Sequence, residues 1–344
     1  MAIKEMIVKV VDGRSLRETE AAAAMLDIVE GQATPSQISA FIVALRMKGE
    51  TAEEIAGLAR IMRRYALRVD AGPGLIDIVG TGGDGGQTFN VSTVSAIVAA
   101  AAGAKVAKHG NRGITSKCGA ADILEALGIA FDLPPDGVAE CVRMTGFGFM
   151  FAQSYHPSMR FAGPTRREIG VRTAFNLLGP ITNPAGVTSQ VTGVASATVA
   201  PLIAEVLRLL GSKRALVVHS FDGLDEISIS DTTSVYDVTD GTVEEYIITP
   251  EMFGLTRAAP DAIRGGTIDS NLRMAQSVLA GDAGAPRDAV LLNAGAGMVV
   301  AGLADDIGAG IKQAAQAIDS GAARMKLDEV REVSMALKHA AVPV

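Results

Sequence analysis

Tryptophan is absent from the 344 residues, and the aromatic side chains amount to ten Phe and four Tyr. That is too few for a stacking platform that binds single-stranded nucleic acid. Positive charge is also scarce: 31 Lys and Arg against 38 Asp and Glu leave a net charge of −7, the wrong sign for a general nucleic-acid binder. Only two cysteines occur, Cys118 and Cys141, and neither sits in a CxxC pattern. This excludes a disulfide framework and a cysteine zinc site, and it points to a reduced, cytoplasmic setting. The longest apolar run, about Ala96–Ala104, is too short to span a bilayer. The opening MAIKEMIVKVVDGRSLRETE has charges scattered through it, so no signal peptide is expected and no membrane partner.

What is present is globular. Apolar residues make up 48%, enough for a sizeable core, and the length suits two domains. The first 70 residues read as helices only. Thr34-Pro35-Ser36-Gln37 and Thr51-Ala52-Glu53-Glu54 each pair a cap residue with a Gln or Glu three positions on. Apolar residues then follow at helical spacing. Ala71-Gly72-Pro73-Gly74 breaks the pattern, giving a helical domain over 1–72 and a second domain over 73–344. Met25, Ile28, Phe41, Ile42 and Leu45 exceed what so small a helical domain needs to pack on itself, so a surface among them is expected to meet a partner copy. Beyond the break, short apolar runs alternate with helical stretches: strands at 75–79, 105–107, 147–152, 190–194 and 215–219, helices at 92–102, 120–127, 166–178 and 201–210. That alternation predicts an α/β domain with a mostly parallel sheet covered on both faces. Residues 227–248 read as two or three short strands, with an antiparallel excursion possible, and the chain from Asn271 onward as mainly helical.

Four segments carry chemistry. Gly80–Gly86 places five glycines in seven residues between a strand and a helix entered through Asn90 and Ser92. Glycines let backbone N–H groups approach a phosphate, and a helix N-terminus adds partial positive charge. The segment is neither a Walker A sequence nor GxGxxG. Positions 105–117 hold four Lys or Arg and no acid, interleaved with Gly, Asn, Thr and Ser, which suits a polyanion better than a solvated charge run. In Tyr155–Thr173, Arg166 stands at the predicted start of a helix, an unfavourable place for a cation unless an anionic ligand meets it. Finally, Asp222-Gly223-Leu224-Asp225-Glu226 follows a strand and offers adjacent carboxylates, a hard oxygen set suited to Mg²⁺, or simply a turn with exposed acids.

Taken together these segments resemble the anthranilate phosphoribosyltransferases. The resemblance is carried by GTGGDGGQTFNVST (80–93), KHGNRGITSKCGAAD (108–122), HPSMRFAGPTRREIGVRTAFNLLGPITNPAG (156–186), DGLDE (222–226), GAPRDAVLLNAGAGM (284–298) and IDSGAA (318–323), and it runs nearly end to end. GTGGDG and KHGNR also occur in pyrimidine nucleoside phosphorylases. A phosphorylase, or a nucleic-acid-binding paralogue of the same fold, is therefore the alternative, disfavoured by the DGLDE acids and the net charge. The resemblance implies a small helical domain that forms a homodimer, joined to a large domain with the nucleoside phosphorylase/phosphoribosyltransferase-like fold. It implies transfer of the phosphoribosyl group from phosphoribosyl pyrophosphate to anthranilate, with Mg²⁺, as the second step of tryptophan biosynthesis from chorismate.

By the same resemblance, Gly80 would border both substrates. Gly83, Asp84, Thr88, Asn90, Val91, Ser92 and Thr93 would hold the phosphoribosyl donor, as would Lys108, His109, Gly110, Asn111, Arg112, Gly113, Ile114, Thr115 and Ser116. Asn111 and Arg166 would meet anthranilate, and Ser92, Asp225 and Glu226 the metal. Ala120 stands where the family usually has a donor-binding Ser, Cys118 where Ser is common, Gly113 for Ala, Thr165 for Val and Gln153 for Pro. The hydroxyl missing at Ala120 costs one neutral hydrogen bond, about 0.5–1.5 kcal/mol. An arylamine is a neutral nucleophile at pH 7, so the work expected of the protein is positioning and leaving-group stabilisation, with no residue acting as a strong base.

Overall fold

The computed structural model describes residues 2–83, 85, 88–113 and 116–341; Asp84, Ile114 and Thr115, three of the residues expected at the donor, lie outside the described residues. Four helices come first: α1 (Ala2–Val11), α2 (Glu18–Val29), α3 (Pro35–Lys48) and α4 (Ala52–Tyr65). Both capping boxes form. Thr34 Oγ1 accepts from Gln37 N–H at 3.3 Å while Gln37 Oε1 accepts from Thr34 N–H at 2.9 Å, and Thr51 and Glu54 do the same. Glu54 does more than cap: fully buried, it also accepts from Leu16 N–H at 2.9 Å and from Lys48 Nζ at 3.0 Å.

The second part alternates as its apolar pattern dictates: β1 (Leu75–Gly80), α5 (Val91–Ala101), β2 (Lys105–Gly110), α6 (Ala120–Ala126), α7 (Pro135–Thr145), β3 (Phe147–Phe151), then the short α8 (Ala152–Tyr155), α9 (Gly163–Ile169) and α10 (Phe175–Leu178). β4 (Ser189–Gly193), α11 (Ala200–Leu209) and β5 (Arg214–Ser220) follow, then the hairpin of β6 (Thr233–Thr239) and β7 (Thr242–Ile248), and four helices, α12 (Ile268–Ala280), α13 (Ala285–Val300), α14 (Ile307–Asp319) and α15 (Ala322–Ala341). The seven strands lie in the order β3-β2-β1-β4-β5-β6-β7, the first five parallel and the last two antiparallel. The expected helix over 166–178 is two separate pieces: Gly170, at φ +67°, ends α9 in a left-handed cap, and an irregular stretch precedes α10.

The period of two along β5 decides what covers each face. Leu216 and Val218 join the cluster built from α5 and α12–α15, whereas Ala215 and Val217 join a cluster that also contains Met25, Ile28, Phe41, Ile42 and Leu45. This corrects the expectation drawn from apolar excess: those five side chains are wholly buried within the single chain, where α2 packs on α1 and α4 and α3 packs on α1 and α9, and none is left for a partner. Burying each contributes roughly 1.5–3 kcal/mol, and the helical domain is anchored to the larger one where α4 packs on α11. Arg60 and Arg63 extend the anchor by donating to the carbonyls of Leu209 (2.7 Å) and Ile181 (2.8 Å).

Candidate active site

β1 is the strand from which the chain moves outward in both directions, to β2 and β3 on one side and to β4 and β5 on the other. The carboxyl ends of β1 and β4 therefore flank a topological switch point, where open α/β sheets bind ligands. Gly80 and Gly193 face each other on the last rung between these strands. A Cβ on Gly193 would stand 1.6 Å from the Asp225 carbonyl oxygen, and one on Gly80 would stand 2.2 Å from Asp225 Oδ2. Two glycines are thus what lets the acidic segment after β5 lie down across the switch point.

That segment is held by the glycine-rich loop itself. Gly82 N–H donates to Asp225 Oδ2 at 2.7 Å, and Ser92 N–H, in the first turn of α5, donates to Glu226 Oε1 at 3.2 Å. A cation that no residue near these acids in sequence provides is supplied by β2. Lys108 is buried; its Nζ donates to the Ile78 carbonyl and, at 3.3 Å, to Ser92 Oγ. Burial pushes its ammonium down, while Asp77, Glu226 and Asp225 pull it back up. Asp77, wholly buried in β1, is pushed up to about 6 by desolvation, against the pull of Lys108 and of the Asn183 amide at 2.7 Å. Gly83 passes so close to Arg172 that a Cβ there would lie 2.3 Å from the guanidinium, which also donates to the Gly82 carbonyl at 3.3 Å. Arg172 carries no signal of its own in the sequence beyond standing in the same arginine-rich run as Arg166.

The basic run over 105–117 is less free than its composition implies. Arg112 Nη1 donates to Asp122 at 2.6 Å and to Glu125 at 2.8 Å, and its guanidinium stacks 4.5 Å from the Phe131 ring centre. Those acids come from α6, just outside the run. Asp122 also accepts from Gly113 N–H (2.9 Å) and Gly119 N–H (2.8 Å), which folds the loop back on itself. Gly110 has Ala120 and Phe149 against it, so Ala120 fills space without offering a donor. Asn90 does not cap α5; its amide is bonded to Cys118 and Asn271. The side chains of Val91 and Thr93 are buried, whereas Thr88 and Ser116 remain part-exposed at the loop ends. Burial pushes both thiols, Cys118 and Cys141, up to about 11, which leaves them protonated and unreactive.

His109 and His156 meet edge to face with ring centres 5.1 Å apart. His109 Nδ1 is 3.0 Å from the Gly179 carbonyl, and burial pushes the two imidazoles down to about 3 and about 4. Both are neutral at pH 7. Asn111 Oδ1 accepts from Arg112 N–H at 2.8 Å and from Gln153 Nε2 at 3.4 Å, so the residue that replaces the family's usual Pro touches the one expected at anthranilate. Arg166 is not at a helix start: α9 begins at Gly163, and Arg166 lies in its last turn, where a cation is favoured by the helix dipole. Misplaced charge therefore does not mark it. What singles Arg166 out instead is that its side chain makes no ion pair or hydrogen bond among the described residues, lies 5.5 Å over the Phe175 ring and is pushed down by desolvation.

Among the described residues no three His, Cys, Asp or Glu side chains converge as a complete metal site. The oxygen groups that gather near Lys108 are the Asp225 and Glu226 carboxylates and the Ser92 hydroxyl. This fits Mg²⁺, which retains waters and shares substrate phosphates, and does not fit a closed zinc centre.

Residues 72–324 match the glycosyl transferase family a/b domain, and residues 4–66 match that family's helical bundle domain. An anthranilate phosphoribosyltransferase of Herpetosiphon aurantiacus is 51% identical over 97% of this chain and 99% of its own. The crystal structure of the Thermus thermophilus anthranilate phosphoribosyltransferase superposes with a TM-score of 0.91 at 42% identity, covering 96% of this chain and 99% of that one. The Saccharomyces cerevisiae enzyme, solved in complex with PRPP and Mg, gives 0.88 at 30% identity over 97% of this chain and 98% of its own. With half of its residues shared along nearly the whole length, and the same two domains in the same order, the chain belongs to the anthranilate phosphoribosyltransferase family.

Proposed function

We propose how the crevice over β1 and β4 performs the transfer that this family membership gives the chain: the phosphoribosyl group of phosphoribosyl pyrophosphate passes to the amine of anthranilate, and pyrophosphate leaves. The observation that carries the reading is the tie between the glycine-rich loop and the acid pair through Gly82 and Ser92. It puts backbone N–H donors, a buried lysine and two carboxylates around one point at the switch of the sheet. Breaking the bond at the anomeric carbon builds positive charge on the ribose and negative charge on the leaving pyrophosphate. On this reading Lys108, together with loop N–H groups other than those that Asp225 and Glu226 occupy, would stabilise the leaving group. Asp225, Glu226 and Ser92 would hold Mg²⁺, which when bound supplies positive charge to the pyrophosphate.

The residues around Asn111 and Arg166 form the acceptor side of the reading. An unpaired, partly desolvated guanidinium suits a carboxylate, and a charge-assisted bond to it is worth roughly 1.5–3 kcal/mol. His109 and His156, neutral at pH 7, add polar edges without repelling the amine. Since the nucleophile is already neutral, the crevice needs to orient it, and no side chain has to deprotonate it first. A cytoplasmic setting is part of the reading, supported by two buried, unpaired thiols and by the lack, among the described residues, of a helix long and apolar enough to cross a membrane.

The test is the loss of anthranilate fluorescence on mixing enzyme, anthranilate, phosphoribosyl pyrophosphate and Mg²⁺. Loss that requires all four components is expected. Fluorescence that stays constant, with inorganic phosphate and a pyrimidine nucleoside consumed instead, would overturn it in favour of a phosphorylase.

A further inference from the structure

Asn271 lies on α12, 181 positions after Asn90, yet the two amides are bonded. Asn271 Nδ2 donates to Asn90 Oδ1 at 2.9 Å, and Asn271 Oδ1 accepts from Gly266 N–H at 2.9 Å. Asn90 is committed on its other side as well. Its Nδ2 donates to the Cys118 carbonyl at 3.1 Å, and its Oδ1 also accepts from the Cys118 thiol at 3.3 Å. Asn271 is 2% exposed. Two loops and a distant helix thus meet in one amide chain, with Asn271 buried and Asn90 half-buried.

The polarity of that chain is fixed from both ends. The Gly266 N–H can only donate and the Cys118 carbonyl can only accept. Reversing either amide would set donor against donor and acceptor against acceptor, leaving part-buried polar groups unpaired. The segment leading into α12 seals the arrangement. Phe89 N–H donates to the Ile263 carbonyl at 3.0 Å, Thr88 bridges to Arg264, and Gly265 runs so close that a Cβ there would lie 2.2 Å from the Thr88 carbonyl oxygen.

We propose that Asn271 is a positioning residue for the phosphoribosyl donor, acting through Asn90 to hold the β1–α5 loop in register with the β2–α6 loop. Both loops carry the donor-side residues of the reading above, on which this inference rests, and the bond between Asn90 and Cys118 joins them directly. Asn271 fixes which way the Asn90 amide faces, and so whether that bond can form. On the acceptor side, Arg166 lies on α9 and Asn111 at the β2 end of the β2–α6 loop, whereas the amide chain enters that loop at Cys118, next to α6, and bonds to neither residue. Loss of the chain should therefore separate the two substrates: the donor is held worse, the acceptor as before.

Asn271→Asp is the sharpest variant, since it keeps the shape and puts an acceptor where Asn90 needs a donor. Asn271→Ser, too short to reach Asn90, serves where the carboxylate prevents folding. Val278→Ala, a buried core change on the same helix, is the matched control for lost stability alone. Donor KM and donor binding by calorimetry are expected to weaken at least tenfold in either Asn271 variant, with anthranilate KM within twofold of wild type. Val278→Ala should lower Tm and leave both KM values in place. The inference is overturned if a folded Asn271 variant keeps wild-type donor affinity, or if both KM values rise together as they would from general loosening. An inactive wild-type protein that still binds the donor would overturn the proposed reaction instead, and calorimetry on the variants would then decide the loop register alone.

Discussion

Oδ2 of Asp225 accepts the backbone N–H of Gly82 at 2.7 Å, so the first carboxylate of the acid pair is bound to the glycine-rich loop and not merely near it. Glu226 repeats the arrangement further along the same segment through Ser92 N–H. Loop and acids form one unit, assembled over two glycines that leave no room for a side chain. A group that binds one half must act on the other.

Replacing Asp225 by Asn and Glu226 by Gln together keeps an oxygen for each loop N–H but removes both charges. Turnover should fall at least ~100-fold, about 2.7 kcal/mol of transition-state stabilisation. The Mg²⁺ concentration giving half-maximal rate should rise while anthranilate binding alone changes little. A double variant with a wild-type Mg²⁺ titration and rate would show these acids to be architectural.

Arg166→Ala should raise the KM for anthranilate tenfold or more and leave that for the donor near wild type, corresponding to the roughly 1.5–3 kcal/mol of a charge-assisted bond. Its guanidinium has no acid to release among the described residues, so its removal should cost little stability beyond the contact with Phe175. Steady-state kinetics in both substrates check this; equal rises would assign Arg166 to general architecture.

The homodimer implied by the resemblance needs a surface other than Met25, Phe41 and their buried neighbours. Val8, Val11 and Met47, 59%, 68% and 83% exposed, are the large apolar side chains that α1 and α3 leave outward. Val8→Glu combined with Met47→Glu should turn a dimer into a monomer at micromolar concentration in sedimentation without lowering Tm by more than a few degrees. A wild-type protein that sediments as a monomer removes the idea altogether.

The fold was legible because its signals are local and repeat: capping boxes at Thr34 and Thr51, and β-period runs alternating with helical ones. The loops were legible because glycine clusters and basic runs are rare outside anion sites. What stayed hidden depends on distance along the chain. Lys108 neutralises acids over a hundred residues away, and Asn271 orders Asn90 from 181 positions downstream. Nothing in the spacing of an isolated Asn announces either link. The five apolar side chains of the helical domain mislead because an apolar count shows that a face is covered, not by what. Arg166 reads from sequence as a helix start, whereas Gly170 is the left-handed end of the short helix that already holds it.

Stability should fall as the solution is acidified from pH 7 to pH 5, and three buried groups set the slope. His109 and His156 have folded values near 3 and near 4, against about 6.5 in an unfolded chain. Between 6.5 and 4 the unfolded chain takes up two protons that the fold refuses, so their contribution is present above 6.5 and lost as pH falls. Asp77 works the other way. Its folded value near 6 exceeds an unfolded one near 3.9, so its contribution is present at low pH and lost as pH rises through 6. Between pH 6 and pH 4 the balance is one proton, roughly 1.4 kcal/mol per pH unit, and between 6.5 and 6 it is two. Glu20 and Glu251, held near 2 by Lys9 and Arg257, act only below this window. Urea unfolding should therefore give about 2–3 kcal/mol less stability at pH 5 than at pH 7. His156→Gln should flatten that difference, because one of the two refused protons is gone, and Asp77→Asn should steepen it, because the opposing group is gone. Equal stability of the wild type at the two pH values, or a His156→Gln variant with an unchanged slope, would mean that the imidazole pair is hydrated and titrates normally in the folded chain.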